Sequence, residues 1–191
     1  MDIGLIVLLS ILGVVVLLGL WAVGIYNKLV QSRNRVKNSF SQVDVQLKRR
    51  FDLIPNIVET VKGYAKQEKE IFMEFAKARK MYDSGAQSGN VGELSQANSM
   101  LGQTLGRLAV VVEQYPNLKA DQGFLKLQET LKETEDKIAF TRQFYNDVVL
   151  SYNNQREVFP SSLVAGMFKF KEADLFKLDD VAERQAVKVS F

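Results

Sequence analysis

Lys48-Arg49-Arg50, bracketed by Asp44 and Asp52, is the sharpest concentration of charge in the sequence. Such a triplet could meet anionic lipid or an acidic partner, but cations are also favoured at a helix C-terminus, and that structural role is expected here. A second set, Glu135, Arg142, Tyr145, Asn146 and Asn153, lies on or beside the apolar face of one long helical pattern. A catalytic acid there would need a pocket and a second titrating group. Buried polar groups need defined partners, so these five, with Asn27 and Asn34 earlier in the chain, are read as polar residues that fix helix register.

The chemistry the chain lacks narrows it further. Among its 191 residues there is no Cys and no His. Thiol redox chemistry and disulfides are excluded, and the commonest general base and zinc ligand are missing. The Glu-x-x-His pairs that build di-iron sites in helical bundles cannot form either. No Walker loop, dinucleotide fingerprint or EF-hand spacing occurs. The expectation is a non-enzyme with no catalytic residues, cofactor or metal. A net charge of only +3, with aromatic residues at core spacing, argues against nucleic acid as a partner.

What must position these residues is a set of long helices, because only three prolines (Pro55, Pro116, Pro160) interrupt the chain. Residues 3–25 carry no charge; about 23 residues at 1.5 Å each cover roughly 35 Å, enough to cross a bilayer core. No basic n-region or Ala-x-Ala site precedes the soluble part, so a retained transmembrane anchor over 1–26 is predicted rather than a cleaved signal. Lys28, Arg33, Arg35 and Lys37 follow the span directly, which predicts an outside N-terminus, a cytoplasmic body, and basic side chains near anionic lipid. Trp21 and Tyr26 suit an aromatic belt at that exit. The glycines at 4, 13, 19 and 24 form no Gly-x-x-x-Gly pair.

Apolar spacing then predicts four amphipathic helices over 27–50, 53–83, 91–115 and 121–157. A turn near Asp52 and Pro55 is favoured over one helix kinked at the proline, because a hairpin lets two apolar faces cover each other. Ser84-Gly85-Ala86-Gln87-Ser88-Gly89 reads as a flexible connection, followed by Asn90 as an N-cap with Glu93 as its box partner. The simplest burial of four stripes is an antiparallel up-and-down four-helix bundle over 27–158, giving an all-α fold. The tail over 159–191, mixed helix and extended chain, is too apolar for ordinary disorder. Its Leu163, Met167, Phe168, Phe170 and Phe176 are candidates to pack back on the bundle, meet another subunit or partner, or lie on a bilayer.

Several stretches resemble the LemA family of bacterial membrane proteins. They are Tyr26-Asn27-Lys28-Leu29-Val30 with Arg33-Asn34, Gln42 to Arg50, Asp52-Leu53-Ile54-Pro55-Asn56, and Val61-Lys62-Gly63-Tyr64. Further on come Tyr115-Pro116, Glu135 with Ile138, Arg142, Tyr145-Asn146, Tyr152-Asn153, Phe159-Pro160 and the closing Val187-Lys188-Val189-Ser190-Phe191. The match runs in order along nearly the whole chain. It implies a single-pass protein of the bacterial inner membrane, with a four-helix bundle of bromodomain-like topology and no attached enzymatic activity or cofactor. Ser39-Phe40 departs from the small residue and tryptophan more usual in the family, a mild change in packing.

The functional expectation is a membrane scaffold that contacts lipid and either forms homo-oligomers or docks a membrane-protein partner. The alternative is a peptide-binding adaptor delivering substrates to another membrane protein such as a protease.

Overall fold

A computed structural model describes residues 3–177; the closing 187–191 motif and the rest of the distal tail lie outside the described residues. Every regular element among the described residues is a helix: α1 (Ile3–Asp52), α2 (Ile54–Tyr64), α3 (Lys69–Ser88), α4 (Val91–Val112), α5 (Pro116–Lys119), α6 (Gln122–Glu157) and α7 (Ser161–Met167). They fall into two compact units, Met1–Phe40 with Asn146–Ala173, and Ser41–Tyr145 with Asp174–Phe191.

In the first unit the apolar opening of α1 is long and hydrophobic enough to cross a membrane and has no protein cover. Full burial begins at Leu29, which with Val36 and Ser39 faces inward. The C-terminal part of α6 runs antiparallel to this stretch. Ser32 donates to Gln155 at 2.6 Å, and Ser32 and Arg35 share a shallow cleft with Asp147, Val148, Ser151 and Tyr152. Val149, Tyr152, Val164, Ala165 and Phe170 complete the buried set.

In the second unit the connection at Pro55 is no hairpin. A single residue, Leu53, separates α1 from α2 and keeps right-handed helical angles (φ −79°, ψ −19°), so the chain takes the kinked alternative. Pro55 has no N–H to donate four residues back to Phe51. The Phe51 carbonyl accepts instead from Arg79 Nη1 at 2.9 Å.

The reversal comes later, at residues 65–68, and divides the predicted 53–83 helix in two. Lys62 lies over the Phe72 ring while Arg79 pairs with Asp52, so α2 and α3 run antiparallel. Nothing in the local residues forbids helix there; the turn is held from afar by Tyr115, which donates to Glu68 at 2.9 Å and accepts from Gln67 at 2.8 Å.

Residues 84–88, expected to be flexible, continue α3 to Ser88. Gly89 ends it in the left-handed region (φ 66°), where a side chain is disfavoured. Asn90 caps α4 by accepting from the N–H groups of Gly92 and Glu93. The reciprocal half of the box is not formed: the Asn90 N–H donates to Gly85, and the Glu93 carboxylate accepts from Ser84 across the hairpin. A Cβ on Gly85 would stand 3.1 Å from the Leu94 backbone nitrogen, so α3 and α4 meet there at glycine distance. The third predicted helix stops at Val112, and Pro116 opens the short α5 before Asp121 caps α6 by accepting from Phe124 at 2.8 Å.

Candidate functional site

The basic triplet at the end of α1 divides by burial. Lys48 and Arg49 are exposed, whereas Arg50 is only 5 % exposed. Its phase on the helix is set by Val43, Leu47 and Phe51, which face the same core. Inside, Arg50 Nη1 donates to the Asn98 side-chain oxygen at 2.5 Å and lies 2.7 Å from Glu135 Oε2. That carboxylate contact is an ion contact off the hydrogen-bond direction, and Arg50 Nε has no partner. Burial pulls the Arg50 guanidinium below its ordinary range, Glu135 opposes that shift, and the charge of Arg142 adds to it.

Above this polar floor lies a groove of about 260 Å³ between α2, α4 and α6. Leu105, Leu108, Phe124, Leu127 and Leu131 supply apolar walls, with Gln128, Lys132 and Glu135 as its polar groups. Its walls are thus mainly apolar over a polar floor. Among the described residues no three metal-ligating side chains converge.

A second functional feature is how the tail is held. In the first unit, Tyr152 donates its hydroxyl to the Lys171 carbonyl at 2.8 Å. Asn153 clamps Ala173 from both sides, accepting from its N–H at 3.0 Å and donating to its carbonyl at 2.9 Å. In the second unit, Tyr145 donates to the Asp174 carbonyl at 2.7 Å, and Ser95 donates to the Lys177 carbonyl. Burial pushes the Tyr145 phenol up to about 12 and raises that of Tyr152 as well. In these contacts the tail offers main-chain atoms, so its backbone is part of what seats it.

The remaining sequence candidates scatter. Asn27 and Asn34 are exposed, as are Lys28, Arg33, Arg35 and Lys37; Arg142 and Asn146 are half-buried. Of the tail candidates, Phe170 and Phe176 are buried. Leu163, Met167 and Phe168 remain exposed. Phe170 packs against Tyr26 at 5.7 Å between ring centroids and lies 5.2 Å beneath the Arg33 guanidinium.

Three residues of consequence carried no sequence signal: Arg79, Asn98 and Ser95, whose partners are 28, 48 and 82 residues away. Tyr152 was visible beside Asn153 in the family resemblance, without a role.

The LemA family model matches residues 39–191. Two magnetosome proteins of Paramagnetospirillum magneticum, MamQ 2 and MamQ 1, are each 27% identical over 178 residues, covering 80% of this chain and 64% of their own length. Protein LemA of Metamycoplasma hominis is 26% identical over 170 residues, covering 88% of this chain and 75% of its own. The chain thus spans less than two thirds of the length of the two magnetosome relatives.

Proposed function

This chain belongs to the LemA family, and from that premise we propose that it is a membrane-anchored, non-enzymatic helical scaffold that assembles with copies of itself or docks a membrane partner. In this reading residues 3–25 cross the bacterial inner membrane once with the N-terminus outside. The helices beyond form an antiparallel up-and-down body on the cytoplasmic side, held to the lipid surface by Lys28, Arg33, Arg35 and Lys37. The observation that carries it is the change of environment along α1. Its charge-free opening has no protein around it, and one face of the same helix is buried from Leu29 onward. Native mass spectrometry and cryo-electron microscopy of detergent-extracted protein test the assembly. Defined oligomers are expected, and a compact monomer at all concentrations would remove self-assembly.

The groove over Arg50 favours a second reading, a peptide-binding adaptor. A photocrosslinking side chain at Leu127 should then capture a polypeptide other than this chain in living cells. Capture of copies of itself alone would leave the scaffold as the better account.

A further inference from the structure

In the first unit, α7 has two faces. Val164 and Ala165 are buried, while Leu163 and Met167, four residues apart and so on one side of the helix, are 64 and 76 % exposed. Phe159 just before the helix and Phe168 just after it are 73 and 55 % exposed. Four large apolar side chains in ten residues stay mostly open to solvent on one small segment, Phe168 touching the protein through Tyr26.

The level of this segment along α1 follows from helix register. Gln155 stands beside Ser32, and α6 runs antiparallel to α1 there, so each further residue of α6 descends about 1.5 Å toward the apolar opening. By Glu157 the chain is level with about Leu29, and α7 follows four residues later. The aromatic contact agrees: the Phe168 ring lies 4.7 Å from that of Tyr26, two residues before the first charge after the span, Lys28. Exposed lysines accompany it, Lys28 on α1 with Lys169 and Lys171 beyond α7, while Arg156 is engaged by Glu157 and Glu172. Apolar side chains at the depth of a membrane exit, with basic side chains around them, have the composition of a segment lying in the interface plane.

We propose that α7 and its flanks are a peripheral membrane contact: Phe159, Leu163, Met167 and Phe168 insert into the headgroup and upper acyl region of the leaflet from which α1 emerges. This rests on residues 3–25 spanning the bilayer. The chain then meets the membrane at two places, a span and an in-plane foot, and the foot restricts how α1 can tilt or turn in the lipid.

The chain has no cysteine, so single labels can be placed cleanly. Leu163→Cys and Met167→Cys, with Leu12→Cys in the span and Gln87→Cys on the exposed side of α3, are spin-labelled in the full chain. They are then reconstituted in vesicles of neutral and anionic phospholipid. Power saturation with oxygen and a water-soluble nickel chelate reads depth. The label at 12 should report hydrocarbon and that at 87 water, with those at 163 and 167 about 5–10 Å below the headgroup surface. If 163 and 167 match 87 while 12 stays in hydrocarbon, the foot is wrong and the span stands. If both are shielded from both reagents with dipolar broadening between copies, protein rather than lipid covers this face and the proposal falls. Nickel access at 12 overturns the span and the foot together.

Discussion

The Arg79 guanidinium donates at 2.9 Å to the main-chain oxygen of Phe51, the acceptor that Pro55 strands by lacking an N–H. Around this contact the Phe51 and Tyr82 rings stack at 4.3 Å, and Arg79 also reaches Asp52 and Asp83. One side chain on α3 therefore satisfies a break between two other helices.

Removing that donor should leave a carbonyl in a buried setting without a partner. Arg79→Ala is expected to destabilise the protein by about 1–3 kcal/mol in denaturant unfolding followed by circular dichroism. Pro55→Ala supplies the missing helical donor, so the same Arg79→Ala change should cost clearly less in that background. Equal costs in both backgrounds would show that the Phe51 carbonyl is irrelevant.

Arg50 is buried against Glu135 and Asn98, and its charge cannot retreat to water. Glu135→Leu should lower stability by about 1–3 kcal/mol, the carboxylate being partly solvated and Asn98 still in place. Arg50→Met combined with Glu135→Leu should recover most of that loss by removing the stranded charge. If the double variant is no better than the single one, the pair does not act as a unit.

Gly89 and Asn90 set the α3 to α4 hairpin. Gly89→Ala places a Cβ in the left-handed region and should cost about 1–2 kcal/mol. Asn90→Ala, which removes the acceptor for two backbone N–H groups, should cost about 1 kcal/mol. Thermal unfolding would read both, and an unchanged midpoint for either would contradict the cap geometry.

Tyr145 gives an alkaline signature. Its phenol titrates near 10 when unfolded and is pushed up to about 12 by burial, so the folded state favours the neutral form. The linked stability is fully present below pH 10 and is lost as pH rises from 10 through 12. Tyr145→Phe should remove one late-ionising phenol from a near-ultraviolet titration. It should also weaken the seating of Asp174 by about 0.5–1.5 kcal/mol. Should all phenols ionise together near pH 10, that burial is absent.

Parts of this fold could be read directly from residue order. The charge-free opening, the Asn90 cap and the long helix over 121–157 depend on local chemistry and periodicity, which a sequence displays. The break at 65–68 does not: Ala65, Lys66, Gln67 and Glu68 are tolerable in helix, and Tyr115 from a distant turn helps hold the reversal. Pro55 was legible as a disturbance, but its residues did not decide between turn and kink, because the group that rescues its stranded carbonyl is on another helix. The fate of the Lys48-Arg49-Arg50 triplet was likewise hidden. Which of three adjacent bases turns inward follows from the neighbours that receive it, here Asn98 and Glu135.

Tyr152 and Asn153 grip the main chain at Lys171 and Ala173 rather than the side chains there. Residues 171 and 173 can therefore drift through most of the amino-acid alphabet over generations without unseating the segment they belong to, whereas Glu172 also meets Arg156 through its side chain. Proline at 173 is the exception, since it would delete the N–H that Asn153 receives.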